Sequence, residues 1–160
     1  RVRITAEKRG VTGTARIVST GMRSRVTETY PGHASFRAEY EMAESDSTWK
    51  LNIYGFAETS TDMSEASRVE LQGNGQPIPT VRVTSKTRTL DNSVMDIKYV
   101  ALTREAFGRL ATADRALAVL GSYRLERTKP LAKDLRLILE RVPKDGGPPT
   151  AGTDDTAANR

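Results

Sequence analysis

The sequence has no cysteine and a single histidine, His33. The first absence removes disulfides, thiolate nucleophiles and Cys-based zinc or iron–sulfur sites together. The second leaves no set of imidazoles from which a His-rich zinc site could be built. Aromatic residues are only 6% of the chain, with one Trp and three Phe, so stacking platforms for nucleobases are in short supply. No apolar run approaches the ~20 residues that span a bilayer as a helix.

What remains is a polar, basic chain of 160 residues, 37% hydrophobic and 28% charged, with a net charge of +5. That length suits one domain with a modest core. The charge is distributed in blocks. Residues 1–37 hold 8 Lys/Arg against 2 Asp/Glu, residues 38–75 hold 2 against 8, and residues 76–142 hold 13 against 7. Blocks of opposite sign neutralise one another on folding, which weakens the inference from a basic pI to a polyanion partner.

Strand patterns dominate as far as residue 101. Phe36, Ala38, Tyr40 and Met42 alternate with Ser35, Arg37, Glu39 and Glu41, and Trp49, Leu51 and Ile53 alternate with Lys50, Asn52 and Tyr54. ESDS (44–47) joins them as the turn of an antiparallel hairpin, in which Gly55 predicts a bulge. GNG (73–75) is a turn, and the prolines of QPIPT belong at a strand edge or in a loop. Val81 and Val83 start another strand. After the Asp91-Asn92 turn, Met95, Ile97 and Tyr99 alternate with Asp96 and Lys98. Val2/Ile4 and Ala15/Ile17 add one or two N-terminal strands around a Lys8-Arg9-Gly10 turn.

The pattern then becomes helical. Thr103 is an N-cap, with Leu102 and Phe107 at the hydrophobic-staple positions. RALAVL (115–120), the Gly121-Ser122 turn and YRLER (123–127) form a second hairpin. Leu131, Leu135, Ile138, Leu139 and Val142 make one apolar stripe on a final helix that begins near Pro130 and stops at Pro143. The reading is an α+β single domain over residues 1–142. A mainly antiparallel β-sheet, a curled sandwich or partial barrel, is packed by two C-terminal helices near 104–113 and 130–142. Residues 143–160 form a disordered tail.

Groups for chemistry are sparse. His33 has no nucleophile or orienting carboxylate at informative spacing, and no G-x-S-x-G elbow exists. Glu39, Glu41, Glu44 and Asp46 lack the Asp/Asn-Gly ladder of a calcium loop and fall on or beside the solvent face of a strand. GVTGT (10–14) and GNG lack the Lys-Ser/Thr of a P-loop. No catalytic residue, cofactor site or metal site is assigned. A polyanion-binding module, the alternative, would use Arg16, Arg23, Arg25, Arg82, Lys86 and Arg88.

The segment "VALTREAFGRLATADRALAVLGSYRLERTKPLAKDLRLILERV" resembles the end of β-rich exported domains of bacteria that lack an assigned activity. The likeness covers roughly residues 69–142 and is one of pattern. It implies a non-catalytic binding or structural domain of the cell envelope, periplasmic or extracellular, or an accessory subunit of a larger assembly. Its partner would be a protein or an envelope component, with nucleic acid disfavoured. A chain opening RVRITAEKRG without Met fits removal of an upstream targeting segment.

Overall fold

The computed structural model describes residues 2–9, 12–19, 22–23, 25–26, 32–43, 46–59, 61, 63, 66 and 68–144. The tail from residue 145 on lies outside the described residues, as do residues 10–11 and 44–45, while Lys8 and Arg9 belong to β1 and Asp46 and Ser47 to β6 rather than to turns. The strands are β1 (Val2–Arg9), β2 (Thr12–Ser19), β3 (Met22–Arg23), β4 (Arg25–Val26), β5 (Gly32–Ala43), β6 (Asp46–Ala57), β7 (Glu70–Gly73), β8 (Gln76–Ile78), β9 (Arg82–Leu90), β10 (Ser93–Leu102), β11 (Ala116–Leu120) and β12 (Tyr123–Glu126). The helices are α1 (Arg104–Thr112) and α2 (Lys129–Arg141).

Two antiparallel sheets form. The first has the order β1-β2-β5-β6-β10-β9, with β3 paired to β5 beside β2, and the second the order β4-β12-β11-β7-β8. Neither closes, and the architecture is α+β. Between Arg23 and Arg25 the chain passes from one sheet to the other: Arg23 pairs with Ser35 and Arg25 with Glu126. A strand that changes sheets makes the corner of a sandwich.

The inner face of the first sheet carries Phe36, Ala38 and Tyr40 from β5, Trp49, Leu51 and Ile53 from β6, and Val100 and Leu102 from β10. All are buried in one cluster with the second sheet and both helices. Tyr40 and Phe107 flank the Trp49 ring at centroid distances of 4.6 and 4.9 Å, tilted 53° and 58°, in the tilted aromatic geometry that ring quadrupoles favour. The stripe of α2 supplies Leu131, Leu135, Ile138 and Val142 to the same core. It is therefore spent on packing and not left for a partner.

Gly55 does not mark a bulge. β6 runs unbroken, with Gly55 in regular register against Ala34 on one side and Asp96 on the other. The GNG turn has Asn74 at φ 52° and Gly75 at φ 76°, the positive angles of a two-residue hairpin turn that joins β7 to β8. Pro77 lies in β8, the edge strand of the second sheet, where a missing N–H costs no ladder bond.

Arginines close the helix ends. A helix leaves its last four carbonyls without intrahelical donors. At the end of α1, Arg127 donates to the carbonyl of Leu110 and to those of Ala113 (2.6 Å) and Asp114 (3.3 Å) just beyond the helix, and Arg136 Nε donates to Ala111 (3.3 Å). For α2, Arg104 donates to the carbonyls of Val142 and Pro143 (both 3.1 Å) and lies 5.1 Å over the Trp49 ring. Burial, and secondarily the nearby Arg136 charge, lowers the Arg127 pKa from its ordinary value. Arg127→Met strands α1 carbonyls in a half-buried place and is expected to cost about 2–3 kcal/mol by urea denaturation. Arg115→Ala, which removes only the exposed 3.0 Å pair with Glu126, is expected to cost under about 0.5 kcal/mol.

Candidate binding surface

β9, RVTSKTRTL, has the composition of an edge strand: β-branched or hydroxyl residues at most positions, three cations, and no apolar residue between Val83 and Leu90. It pairs with β10 on one side, and no described strand pairs with its other side. Every residue of β9 is exposed except Val83, which packs partly against the core. Arg82, Lys86 and Arg88 share the outer face of the sheet, opposite Ala101, Ile97 and Met95 in register. The outer-face residues of β10 thus bring no carboxylate across from these three cations. The only exposed large apolar side chains among the described residues are Val81 (65%) and Leu90 (45%), one at each end of this strand.

Backbone geometry adds to this. Leu90 and Ser93 close the two-residue turn between β9 and β10. Residues across an antiparallel ladder alternate between hydrogen-bonded and non-hydrogen-bonded pairs. Counting from that turn, the N–H and C=O of the even-numbered residues of β9 bond to β10. Those of Val83, Ser85, Thr87 and Thr89 point away, along the open edge. Val81 N–H donating to the Ala101 carbonyl at 2.9 Å agrees with this phase.

The six basic residues of the polyanion reading do not meet in one patch. Arg16 lies in β2 in register with Glu41, Arg23 in β3, and Arg25 in the second sheet. Three strands, β5, β6 and β10, separate Arg16 from β9. Only Arg82, Lys86 and Arg88 form a stripe. His33 lies in β5, in register with Phe56.

Three features escape a reading by composition. Tyr54 and Tyr99, half-buried, share the outer face with the β9 cations, and Arg37 lies 5.5 Å over the Tyr54 ring. Burial raises the Tyr54 pKa, partly offset by the Arg37 charge. Glu39 is not solvated: it is buried on that face and accepts a 3.2 Å hydrogen bond from Asn52 Nδ2.

The third is a charged pair inside the sheet. Asp96 and Lys98 lie on the inner face of β10, 2% and 1% exposed, in line with Val100 and Leu102. Lys98 Nζ donates to the Ala66 carbonyl (2.6 Å) and Ser85 Oγ (2.9 Å), and Thr87 Oγ1 donates to Asp96 Oδ1 (2.8 Å). Desolvation lowers the Lys98 pKa from its ordinary value, against the opposing pull of Asp96. A lowered pKa is one attribute of a nucleophilic amine. Here, however, it holds the β6–β7 connection to the sheet through Ala66, and Ser85 Oγ of β9 accepts its second hydrogen bond.

No group of three or more metal-ligating side chains occurs among the described residues. A void of about 10 Å³, lined by Phe36, Leu51, Leu71, Leu131, Leu135 and neighbours, is about the size of one water and apolar, too small for an organic ligand. Among the described residues, no helix is long and apolar enough to cross a membrane. Compared with protein-family models, curated proteins and solved structures, the chain matches none.

Proposed function

We propose that this chain is a non-catalytic binding domain that recognises a protein partner through the β9 edge, as part of the bacterial cell envelope or as an accessory subunit of a larger assembly. One observation carries the reading. The two exposed large apolar side chains bracket a nine-residue basic strand whose outer edge is open among the described residues. Among the described residues, Lys98 and Asp96 are engaged in the sheet, and Arg104, Arg127 and Arg136 on helix ends. The envelope placement rests on the C-terminal pattern alone, and fractionation of the native cell tests it. Recovery only in the cytosol overturns that part.

The test of the central reading is turnover. A panel of ester, phosphate, peptide and glycoside substrates is expected to give no rate above buffer. A rate abolished by Lys98→Met, in protein that still folds by circular dichroism, overturns the non-catalytic assignment.

Polyanion binding is the second reading, favoured by the placing of Tyr54 and Tyr99 on the face that carries Arg82, Lys86 and Arg88. Filter binding of single-stranded DNA at 50 and 200 mM salt separates the two. Three phosphate contacts would weaken binding by about twentyfold over that range. Absence of affinity at the lower salt ends the second reading.

A further inference from the structure

We infer that the partner of the β9 edge is an extended acidic segment with apolar residues at its ends, which docks by adding a strand to the first sheet. The inference rests on the binding-domain reading above and specifies its ligand. Strand addition requires an edge with free backbone donors and acceptors, side chains that do not block approach, and recognition at alternate positions. Among the described residues, β9 meets each requirement. The groups of Val83, Ser85, Thr87 and Thr89 face outward along the edge, no proline interrupts the strand, and its nine residues span about 30 Å.

The side chains specify the occupant. Residues of an added strand that stand on the outer face lie beside Arg82, Lys86 and Arg88. Opposite charges in neighbouring strands attract and like charges repel. Carboxylates at alternate positions of the partner therefore match this face. Val81 and Leu90, at opposite ends of β9, offer apolar contact to the two ends of the same segment. A second copy of β9 is a poor occupant, since the pair would crowd six cations onto one face of a two-strand ribbon. The same charges keep the free edge from pairing with itself.

The geometry also predicts where a block can be placed without unfolding the domain. Ser85 and Thr87 hold Lys98 and Asp96, so they are unsuitable. Thr89 is exposed, and its N–H faces the open edge. Proline there removes an outward donor and leaves the β10 ladder intact.

The experiment uses the full chain and a capped nine-residue peptide that alternates glutamate with threonine and carries valine and leucine at its ends. Binding is read by fluorescence anisotropy, and hydrogen exchange is followed residue by residue. The expected result is slowed exchange at the amides of Val83, Ser85, Thr87 and Thr89. Binding should weaken at least tenfold for Thr89→Pro, for the Arg82→Glu/Lys86→Glu/Arg88→Glu variant, and for a peptide N-methylated at alternate positions. Equal binding of the N-methylated peptide would mean attraction by charge alone and overturns strand addition. So does absence of protection at these four amides with the peptide in millimolar excess. Protection of the same amides by oligothymidine and not by the peptide overturns the acidic-segment assignment. None of these results touches the non-catalytic assignment, which falls only to enzymatic turnover.

Discussion

Lys98→Met is expected to destabilise the domain by about 3–5 kcal/mol, although methionine fills nearly the same volume. The loss comes from what stays behind. Asp96, 2% exposed, keeps its Thr87 hydrogen bond but loses the nearby ammonium, and the Ala66 carbonyl loses its 2.6 Å donor. Adding Asp96→Asn to Lys98→Met removes the stranded charge as well. The double variant should recover at least about 1 kcal/mol relative to the sum of the single ones, because contacting groups couple. Additivity of the two in urea denaturation would show that the charges do not interact.

The same lysine gives a pH dependence of known sign. Its folded pKa is depressed by desolvation, so the folded state holds this proton less tightly than the unfolded chain. Stability therefore rises with pH wherever the unfolded state alone is protonated. The contribution is fully present above the ordinary lysine value of 10.5 and is lost as pH falls through the depressed folded value. Wild type minus Lys98→Met, measured from neutral to alkaline pH, isolates it. A difference that stays flat up to 10.5 would contradict the depressed lysine.

Phe107→Ala is the second large effect, expected to cost about 3–5 kcal/mol. Phe107 is fully buried in the first turns of α1 and packs at 4.9 Å on Trp49, which also meets Tyr40. Its removal opens a cavity where the helix, β5 and β6 meet. Trp49 is the sole tryptophan, so its emission reports unfolding and the change in local packing together. Phe107→Leu, which refills most of the space, should cost about 1–1.5 kcal/mol. If alanine proved as mild as leucine, the aromatic cluster would not be what seats α1.

These two sites differ in how far the sequence discloses them. Phe107 is legible: Thr103 accepts from the Ala106 amide as an N-cap, and Leu102 and Phe107 are both buried as a staple requires. The β5–β6 hairpin is legible for a similar reason, since its alternation assigns both faces over twelve residues. Lys98 is not. Alternation along β10 sorts Met95, Ile97 and Tyr99 from Asp96 and Lys98, but a period of two cannot say which set faces inward. Val100 and Leu102 continue the charged set, and their burial decides the matter. Glu39 hides in the same way, because the Asn52 amide that satisfies it sits on another strand. The β9 edge is half legible. Its composition reads from the sequence, yet its position at the margin of the sheet depends on the long-range order of the strands.

The corner between Arg23 and Arg25 bears on how the chain folds. In the second sheet, β7, β8, β11 and β12 assemble from residues 70–126, while β4 joins from about 100 residues away. Among the described residues its ladder comprises Val26 with Leu125 and Arg25 with Glu126. Closing so long a loop is costly in chain entropy, so this pairing is expected to follow the local ones. Hairpins β5–β6, β9–β10 and β11–β12, each local in sequence, can form beforehand. The seam at β4 is expected to close after them, and slower hydrogen-exchange protection at Leu125 than at β5 and β6 on refolding checks it.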